Sequence, residues 1–180
     1  MRGLLLFCSW LLAFGLRAQA DSTQALVISA AYSLPLSQAQ VIERAQRAWA
    51  QTFGREPGAT LAPAGDRPDQ LEGSAHFNFR SRDITGREET MGRVSYRVRI
   101  SATNGGCDVS IGPFRHSGNR GALRGGTDLG VITAGGPAVK RPTGLSGRTV
   151  TGLLAEIRYL ARQRSEALLR NFGALLRDEP

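Results

Sequence analysis

Side chains alternate between apolar and polar from Gly92 to Ala102, and this alternation constrains the fold more than any other feature of the sequence. Four apolar residues occupy one phase: Val94, Tyr96, Val98 and Ile100. Four polar residues, three of them arginines, occupy the other: Arg93, Ser95, Arg97 and Arg99. Because successive side chains of a β-strand point to opposite faces of the sheet, we predict a strand with one face against a core and the other in water.

Further strands are predicted on both sides of this one along the chain. Leu71–Arg80 alternates in the same way. Asn104-Gly105 predicts a hairpin turn, since both residues tolerate positive φ, and the return strand is Gly106–Phe114. Shorter strands are predicted in three segments: Ala25–Tyr32, Ala59–Ala62 and Leu129–Thr133.

Two amphipathic helices are predicted, one on each side of these central strands. The first begins at Ser37, where Gln40 completes a capping-box pattern, and ends at Gly54. Its apolar face carries six residues: Val41, Ile42, Ala45, Ala48, Trp49 and Phe53. Trp49 is interpreted as a core anchor because it belongs to this apolar stripe. A longer helix is predicted to begin after Ser146 and to continue close to the end of the chain.

The order of these elements predicts the fold class. It is strand, helix, three strands with a further optional one, and a final helix, or β-α-β-β-β(-β)-α. Each central strand and each helix has one apolar face, so the expected architecture is an α+β two-layer sandwich. A single antiparallel sheet carries both helices on one face and leaves the other in water. Residues 21–180 are predicted to form one domain, with a Gly-rich loop at about 115–147.

Four segments carry the pattern of a known family: Ser37–Phe53, Leu71–Ala75, Val94–Ile100 and the hairpin through Asn104-Gly105 into Cys107–Ile111. On these segments the chain resembles a secreted bacterial domain of unknown function that has a TATA-binding-protein-like (TBP-like) fold. The resemblance implies this architecture and a location in the envelope or outside the cell. It brings no catalytic residues with it.

The first twenty residues have the pattern of a secretory signal peptide. Arg2 precedes an apolar run, Leu4–Leu16, and Ala18-Gln19-Ala20 matches the small-x-small cleavage pattern. The run is shorter than the ~20 residues of a spanning helix. We expect cleavage after Ala20, a secreted or periplasmic protein, and no transmembrane segment in the mature chain. Cys107 then remains as a lone thiol that is either buried or paired between chains, and its place in an apolar phase favours burial.

Arginines are concentrated on the predicted open side of the sheet. The chain has 23 basic residues against 15 acidic ones, and Lys140 is the only lysine. If the central strands pair, five arginines share one face: Arg80, Arg82, Arg93, Arg97 and Arg99. Such a face is a candidate surface for an anionic partner. The alternative is an ordinary solvated sheet face, with Asp83 and Asp108 as nearby ion partners.

A second candidate site is the segment that leads into the last helix. Lys140, Arg141 and Arg148 lie near the expected helix start, where free N–H groups can hold a simple anion. The surrounding Gly-rich sequence is not a P-loop, because Pro142 stands where that motif requires glycine and Arg148 where it requires lysine.

The sequence assigns no catalytic, metal or cofactor residues. His76 and His116 are the only histidines and have no ligands at metal-site spacing. TATA-binding protein inserts phenylalanine wedges into DNA, whereas Phe77 and Phe79 fall in the core phase here, and secretion separates the chain from genomic DNA. We predict a non-enzymatic module that binds an envelope or extracellular component, with a polyanion as one candidate, through the open sheet face or the Gly-rich loop. The alternative is a hydrolase or transferase acting on extracellular polymers.

Overall fold

A computed structural model describes residues 24–84, 88–123, 125–136 and 142–178. The predicted signal peptide, residues 1–20, lies outside the described residues. The described residues form seven strands and two long helices: β1 (Ile28–Ser33), α1 (Gln38–Gln51), β2 (Thr60–Ala64), β3 (Arg67–Phe79), β4 (Gly92–Thr103), β5 (Gly106–Ile111), β6 (Arg115–Gly118), β7 (Gly130–Val131) and α2 (Gly147–Arg177). Short 3-10 turns follow α1 at Phe53–Arg55 and precede β4 at Glu88–Thr90.

The strands form one curled antiparallel sheet in the order β1-β5-β4-β3-β2. β5 and β6 lie one after the other along the same edge of β4, and β7 extends the sheet beyond β6. Between β5 and β6, the three residues 112–114 lie opposite only two residues of β4, 96 and 97. This edge therefore contains one extra residue, a β-bulge. This bulge shifts the alternation, and Ile111 and Phe114 are both fully buried as a result.

Both helices pack on the same face of this sheet. The even-numbered residues of β4 from Val94 to Ala102 are buried beneath them, together with the odd-numbered residues of β3 from Leu71 to Phe79. The opposite phase of both strands is exposed or half-exposed. The predicted α+β two-layer architecture is therefore confirmed. The sheet has more strands than the sequence pattern indicated.

Helix α1 is tied to the sheet through Trp49. At its start, the backbone N–H of Ser37 donates to Oε1 of Gln40 at 3.0 Å, as the capping-box pattern predicted. Trp49 is buried and stacks on Phe53, with ring centroids 5.1 Å apart. Its indole lies directly over Gly73 of β3, where a Cβ would come within 2.7 Å of Cζ2. Trp49 is thus the core anchor that the sequence predicted, and the position of its indole over β3 requires a glycine at residue 73.

Helix α2 contains two glycines in very different surroundings. Gly173 is buried against the ring of Tyr32 in β1, where a Cβ would lie 3.0 Å from Cδ1 and closer still to Cε1. The Tyr32 hydroxyl donates to the carbonyl of Leu169 one turn earlier, at 2.7 Å. Gly152, near the start of the same helix, is exposed and has nothing within 4 Å of the position of a Cβ. Close packing therefore explains the first glycine and does not explain the second.

The expected Gly-rich loop at 115–147 is partly wrong, because its described residues include two strands. β6 pairs with β4 and β7 pairs with β6, so this region completes the sheet. The predicted edge strand at Leu129–Thr133 is found as β7 and a bridge from Thr133 to Ala25. Arg158 of α2 fixes the chain that follows, donating to the Thr133 carbonyl at 2.8 Å and to the Gly136 carbonyl at 2.6 Å.

Two further predictions about single residues can be compared with the structure. Gly105 adopts positive φ (+92°) in the hairpin turn, as predicted. Asn104 does not, because every positive φ in the described residues belongs to a glycine. Instead, Oδ1 of Asn104 accepts the backbone N–H of Gln38 at 3.0 Å and joins the turn to the start of α1. Cys107 is buried, and burial raises its pKa to about 12 with a smaller contribution from Asp108. The thiol is therefore a core side chain.

Candidate anion-binding face

The solvent side of β4 and β6 carries four exposed arginines. Arg93, Arg97 and Arg99 occupy the outward phase of β4, as predicted. Arg115 of β6 lies directly opposite Ser95 of β4, and paired residues of antiparallel strands point to the same side of the sheet. We call Arg93, Arg97, Arg99 and Arg115 the arginine face.

The spacing of the arginine face follows from strand geometry. Arg97 and Arg99 are two residues apart on one strand, which separates their Cα atoms by about 7 Å. Arg115 is diagonal to both Arg93 and Arg97, at about 7–8 Å. The four side chains thus form a compact group on paired backbone and not on loops.

Acidic residues neutralise this face only in part. Nη2 of Arg99 lies 2.8 Å from Oε1 of Glu72, its partner on β3. Asp108 lies in the row of Ser101 on β5, beyond Arg99. Among the described residues, Arg93, Arg97 and Arg115 have no carboxylate within ion-pair distance.

Ser95 is at the centre of three of these arginines and a histidine. One row of the sheet reads His76, Ser95, Arg115 across β3, β4 and β6, while Arg93 and Arg97 flank Ser95 along β4. The Ser95 hydroxyl donates to the carbonyl of Arg115 at 3.3 Å. Ser95 is half-buried, and the arginines around it are exposed.

The imidazole of His76 is held at the edge of this group by the chain before β2. The backbone N–H of His76 donates to the Pro57 carbonyl at 3.1 Å, and a Cβ on Gly58 would lie 2.6 Å from Cε1 of the ring. Burial and the nearby Arg93 lower the pKa of His76, while Glu56 acts in the opposite direction. Arg93 is therefore close enough to His76 to disfavour its charged form.

Two arginines predicted for the face lie beyond it. β3 ends at Phe79, its last residue paired with β4, so Arg80 and Arg82 fall outside the paired region. The chain then turns toward α2, where the Glu156 carboxylate accepts the backbone N–H of Arg82 at 2.7 Å. The Ser81 hydroxyl donates to the same carboxylate at 2.7 Å. The structure therefore groups three of the five predicted arginines and adds Arg115, which the sequence pattern missed.

The second predicted site falls mostly outside the described residues, since Lys140 and Arg141 are not among them. Arg148 is exposed in the first turn of α2. There the Ser146 side chain accepts the backbone N–H of Thr149 at 3.1 Å, so the helix start has a cap from its own chain.

A separate polar cluster lies on the inner side, where α2 meets the edge of the sheet. The Tyr96 hydroxyl donates to Oε2 of Glu56 at 3.4 Å, and Nη2 of Arg164 lies 3.6 Å from the same oxygen. The Arg164 guanidinium also lies over the Phe77 ring, 5.0 Å from its centroid. Burial and Glu56 raise the pKa of Tyr96, which keeps its hydroxyl protonated and donating. This cluster attaches the helix layer to the sheet edge.

The second histidine, His116, belongs to the core. It is fully buried opposite Val94, its Nδ1 accepts the backbone N–H of Leu129 at 3.4 Å, and its ring meets Phe79 edge-on. Its Nε2 has no hydrogen-bond partner in the described residues. Burial lowers the pKa of His116 to about 4, and Asp128 opposes the shift. Phe77 and Phe79 are also buried, on the side that the sequence assigned to them.

Two solved structures have this architecture. A DUF4468 family protein from Bacteroides ovatus is 16% identical, with a TM-score of 0.53, over 88% of this chain and 92% of that one. A TBP-like protein from Parabacteroides distasonis is 7% identical, with a TM-score of 0.55, over 82% of this chain and 92% of that one. Neither description names an activity. No family model and no curated protein matches the chain.

No helix in the described parts of the chain is long and apolar enough to cross a membrane. At these levels of identity, the structural similarity speaks for the fold and does not extend to function. The fold expected from the sequence is confirmed: the chain has the TBP-like fold of these uncharacterised proteins.

Proposed function

We propose that this protein is a non-enzymatic binding module that recognises a polyanion of the cell envelope or the extracellular space through its arginine face. One observation carries the proposal. Among the described residues, three exposed arginines on paired strands, Arg93, Arg97 and Arg115, lie together without a carboxylate partner.

The chemistry of arginine supports an anionic partner. A guanidinium group presents a planar fork of donors that matches phosphate, sulfate or carboxylate oxygens. Arginines unpaired in the free protein bind an anion without first breaking an ion pair. Arg99 differs in this respect, since a ligand has to compete with Glu72 for it.

The binding test compares retention on immobilised heparin, a linear polyanion. The triple variant R93A/R97A/R99A removes three charges from the arginine face. A matched control, R47A/R162A/R170A, removes three charges from exposed positions on α1 and α2. We expect the first variant to elute at clearly lower salt than wild type and the control to elute close to wild type. Equal elution of the two variants would reject the proposal.

Location outside the cytoplasm is the second part of the proposal, and the pattern of residues 1–20 supports it. The full chain would be produced in a Gram-negative host and the periplasm released by osmotic shock. We expect the protein in the released fraction with Asp21 as its new first residue. Retention in the cytoplasm with residues 1–20 intact would contradict this part and leave the binding test unaffected.

A further inference from the structure

Ser95 lies at the centre of the arginine face, and the residues around it limit the kind of anion that the face can bind. Ser95 has Arg93 and Arg97 two residues away on its own strand, Arg115 directly opposite on β6 and His76 directly opposite on β3. Direct cross-strand neighbours have Cβ atoms about 5 Å apart, and neighbours along one side of a strand lie about 7 Å apart. Side chains as long as arginine are able to reach one point above Ser95 from these positions.

The group above Ser95 is rich in donors and poor in negative charge. Three arginines occupy the strand positions around this small residue, and no carboxylate pairs with any of them in the described residues. Glu56, the carboxylate near His76, is paired with Arg164 and accepts from Tyr96 on the inner side. The ligand that fits best is therefore compact, rich in oxygen and more highly charged than a single carboxylate.

We propose that one phosphomonoester dianion binds above Ser95 and accepts hydrogen bonds from Arg93, Arg97 and Arg115. His76 is a further donor at the edge of this binding position, which we call the seat. This inference rests on the proposed function and specifies the charged group for which the arginine face is built. A phosphomonoester has a second pKa near 6, so it carries close to two charges at pH 7.5. A sulfate ester carries one and serves as the comparison.

Phenyl phosphate and phenyl sulfate are suitable probes, because they differ in charge and share a phenyl group. Each would be titrated at pH 7.5 while the backbone amide signals of the protein are followed by NMR. We expect the phosphate to shift the signals of Ser95, His76 and Arg115 first and to bind about tenfold more tightly than the sulfate, because of the extra charge beside three guanidinium groups. Equal affinity for the two probes, or shifts confined to other surfaces, would overturn the inference.

Two glutamate variants test the position of the seat. Ser95→Glu places a carboxylate among the three arginines and should remove phenyl phosphate binding. Ser101→Glu is the control, because Ser101 is also a half-buried serine on the outward side of β4, in the row of Asp108. We expect it to bind phenyl phosphate within twofold of wild type. Equal losses in the two variants would show that general charge and not the seat controls binding.

Two glycine variants test the part played by His76. A Cβ at Gly58 (φ +62°) meets the imidazole, whereas Gly65 has a similar φ (+56°) and nothing within 4 Å. Both alanine variants should carry a similar backbone cost, and Gly58→Ala alone should displace the ring. We expect Gly58→Ala to weaken phenyl phosphate binding about threefold and Gly65→Ala to leave it unchanged. Equal binding of phenyl phosphate by both variants would show that His76 does not take part in binding at the seat.

The heparin experiment separates failure of this inference from failure of the proposed function. If the arginine face retains heparin and phenyl phosphate shows no preference for Ser95, the seat is wrong and the polyanion surface stands. If heparin retention does not depend on the arginine face, both are wrong.

Discussion

The two faces of β4 are built on opposite principles. On the inner face, the buried residues pack beneath α1 and α2, and neighbouring contacts are so close that Gly73 and Gly173 leave no room for a methyl group. On the outer face, the arginines make one ion pair with a carboxylate of the described residues, between Arg99 and Glu72. Stability therefore depends on the even-numbered residues of this strand, and the binding proposed here would depend on the odd-numbered ones.

The largest contrast is expected between two neighbouring residues. Val98 is 1% exposed in the core, and Val98→Asp buries a carboxylate without a partner, which should cost at least about 4 kcal/mol of unfolding free energy. Arg97→Asp, on the opposite face, should change it by no more than about 0.5 kcal/mol. Urea unfolding of the two variants measures the difference. Similar losses in both would contradict the assignment of the faces.

The two histidines should respond differently to acid. The folded-state pKa of His116 is about 4, below its ordinary value, so the unfolded chain binds the proton first as pH falls. Stability from this group is complete above about pH 6.5 and declines by about 3 kcal/mol as pH falls to 4. Unfolding of wild type, His116→Phe and His76→Gln would be compared at pH 7 and pH 4.5. The loss of unfolding free energy between pH 7 and pH 4.5 should be smaller in His116→Phe and should persist in His76→Gln. A loss in His116→Phe as large as in wild type would refute its origin in His116.

The two glycines of α2 sharpen the comparison within one element. Alanine favours a helix over glycine by roughly 1 kcal/mol, so Gly152→Ala should stabilise the protein by up to that amount. Gly173→Ala should destabilise it by about 1–2 kcal/mol, because the new methyl group displaces the ring of Tyr32. Thermal unfolding should move the two midpoints in opposite directions. A rise in both midpoints would mean that the Tyr32 ring moves aside without loss of stability.

The smallest effect is expected for the ion pair on the outer face. Arg99 and Glu72 have exposed side chains, so removing either should change the unfolding free energy by less than about 1 kcal/mol, and high salt should diminish the change. Glu72→Ala should also free Arg99 and strengthen retention on heparin. A loss of retention would contradict this account of the pair.

Alternation and amphipathic spacing were sufficient to predict the helices and the central strands, because these segments carry their own burial pattern. β6 has no such pattern: within Arg115–Gly118 one side chain is buried, and the strand depends on its pairing with β4 some twenty residues earlier. The sequence therefore missed Arg115. A local hint was the spacing of Phe114 and His116, which are two residues apart and are both buried.

The placing of Arg82 failed for a related reason. The pairing of β3 with β4 was expected to continue beyond Phe79, but Glu156 accepts from Ser81 and Arg82 and turns the chain toward α2. That carboxylate is 74 residues away in sequence from Arg82, and no local pattern indicates such a contact. Predictions from the sequence were reliable where neighbouring residues decide the structure and failed where a distant side chain decides it.

The salt dependence of binding tests the central claim most directly. Affinity for a heparin oligosaccharide of defined length would be measured over a range of salt concentrations for wild type and for a variant with all four residues of the arginine face changed to alanine. Each lost contact with an anionic group should reduce the slope of log affinity against log salt by about 0.7–0.9. The account predicts a slope smaller by about 3 in the variant. An unchanged slope would show that the anion binds elsewhere on the protein.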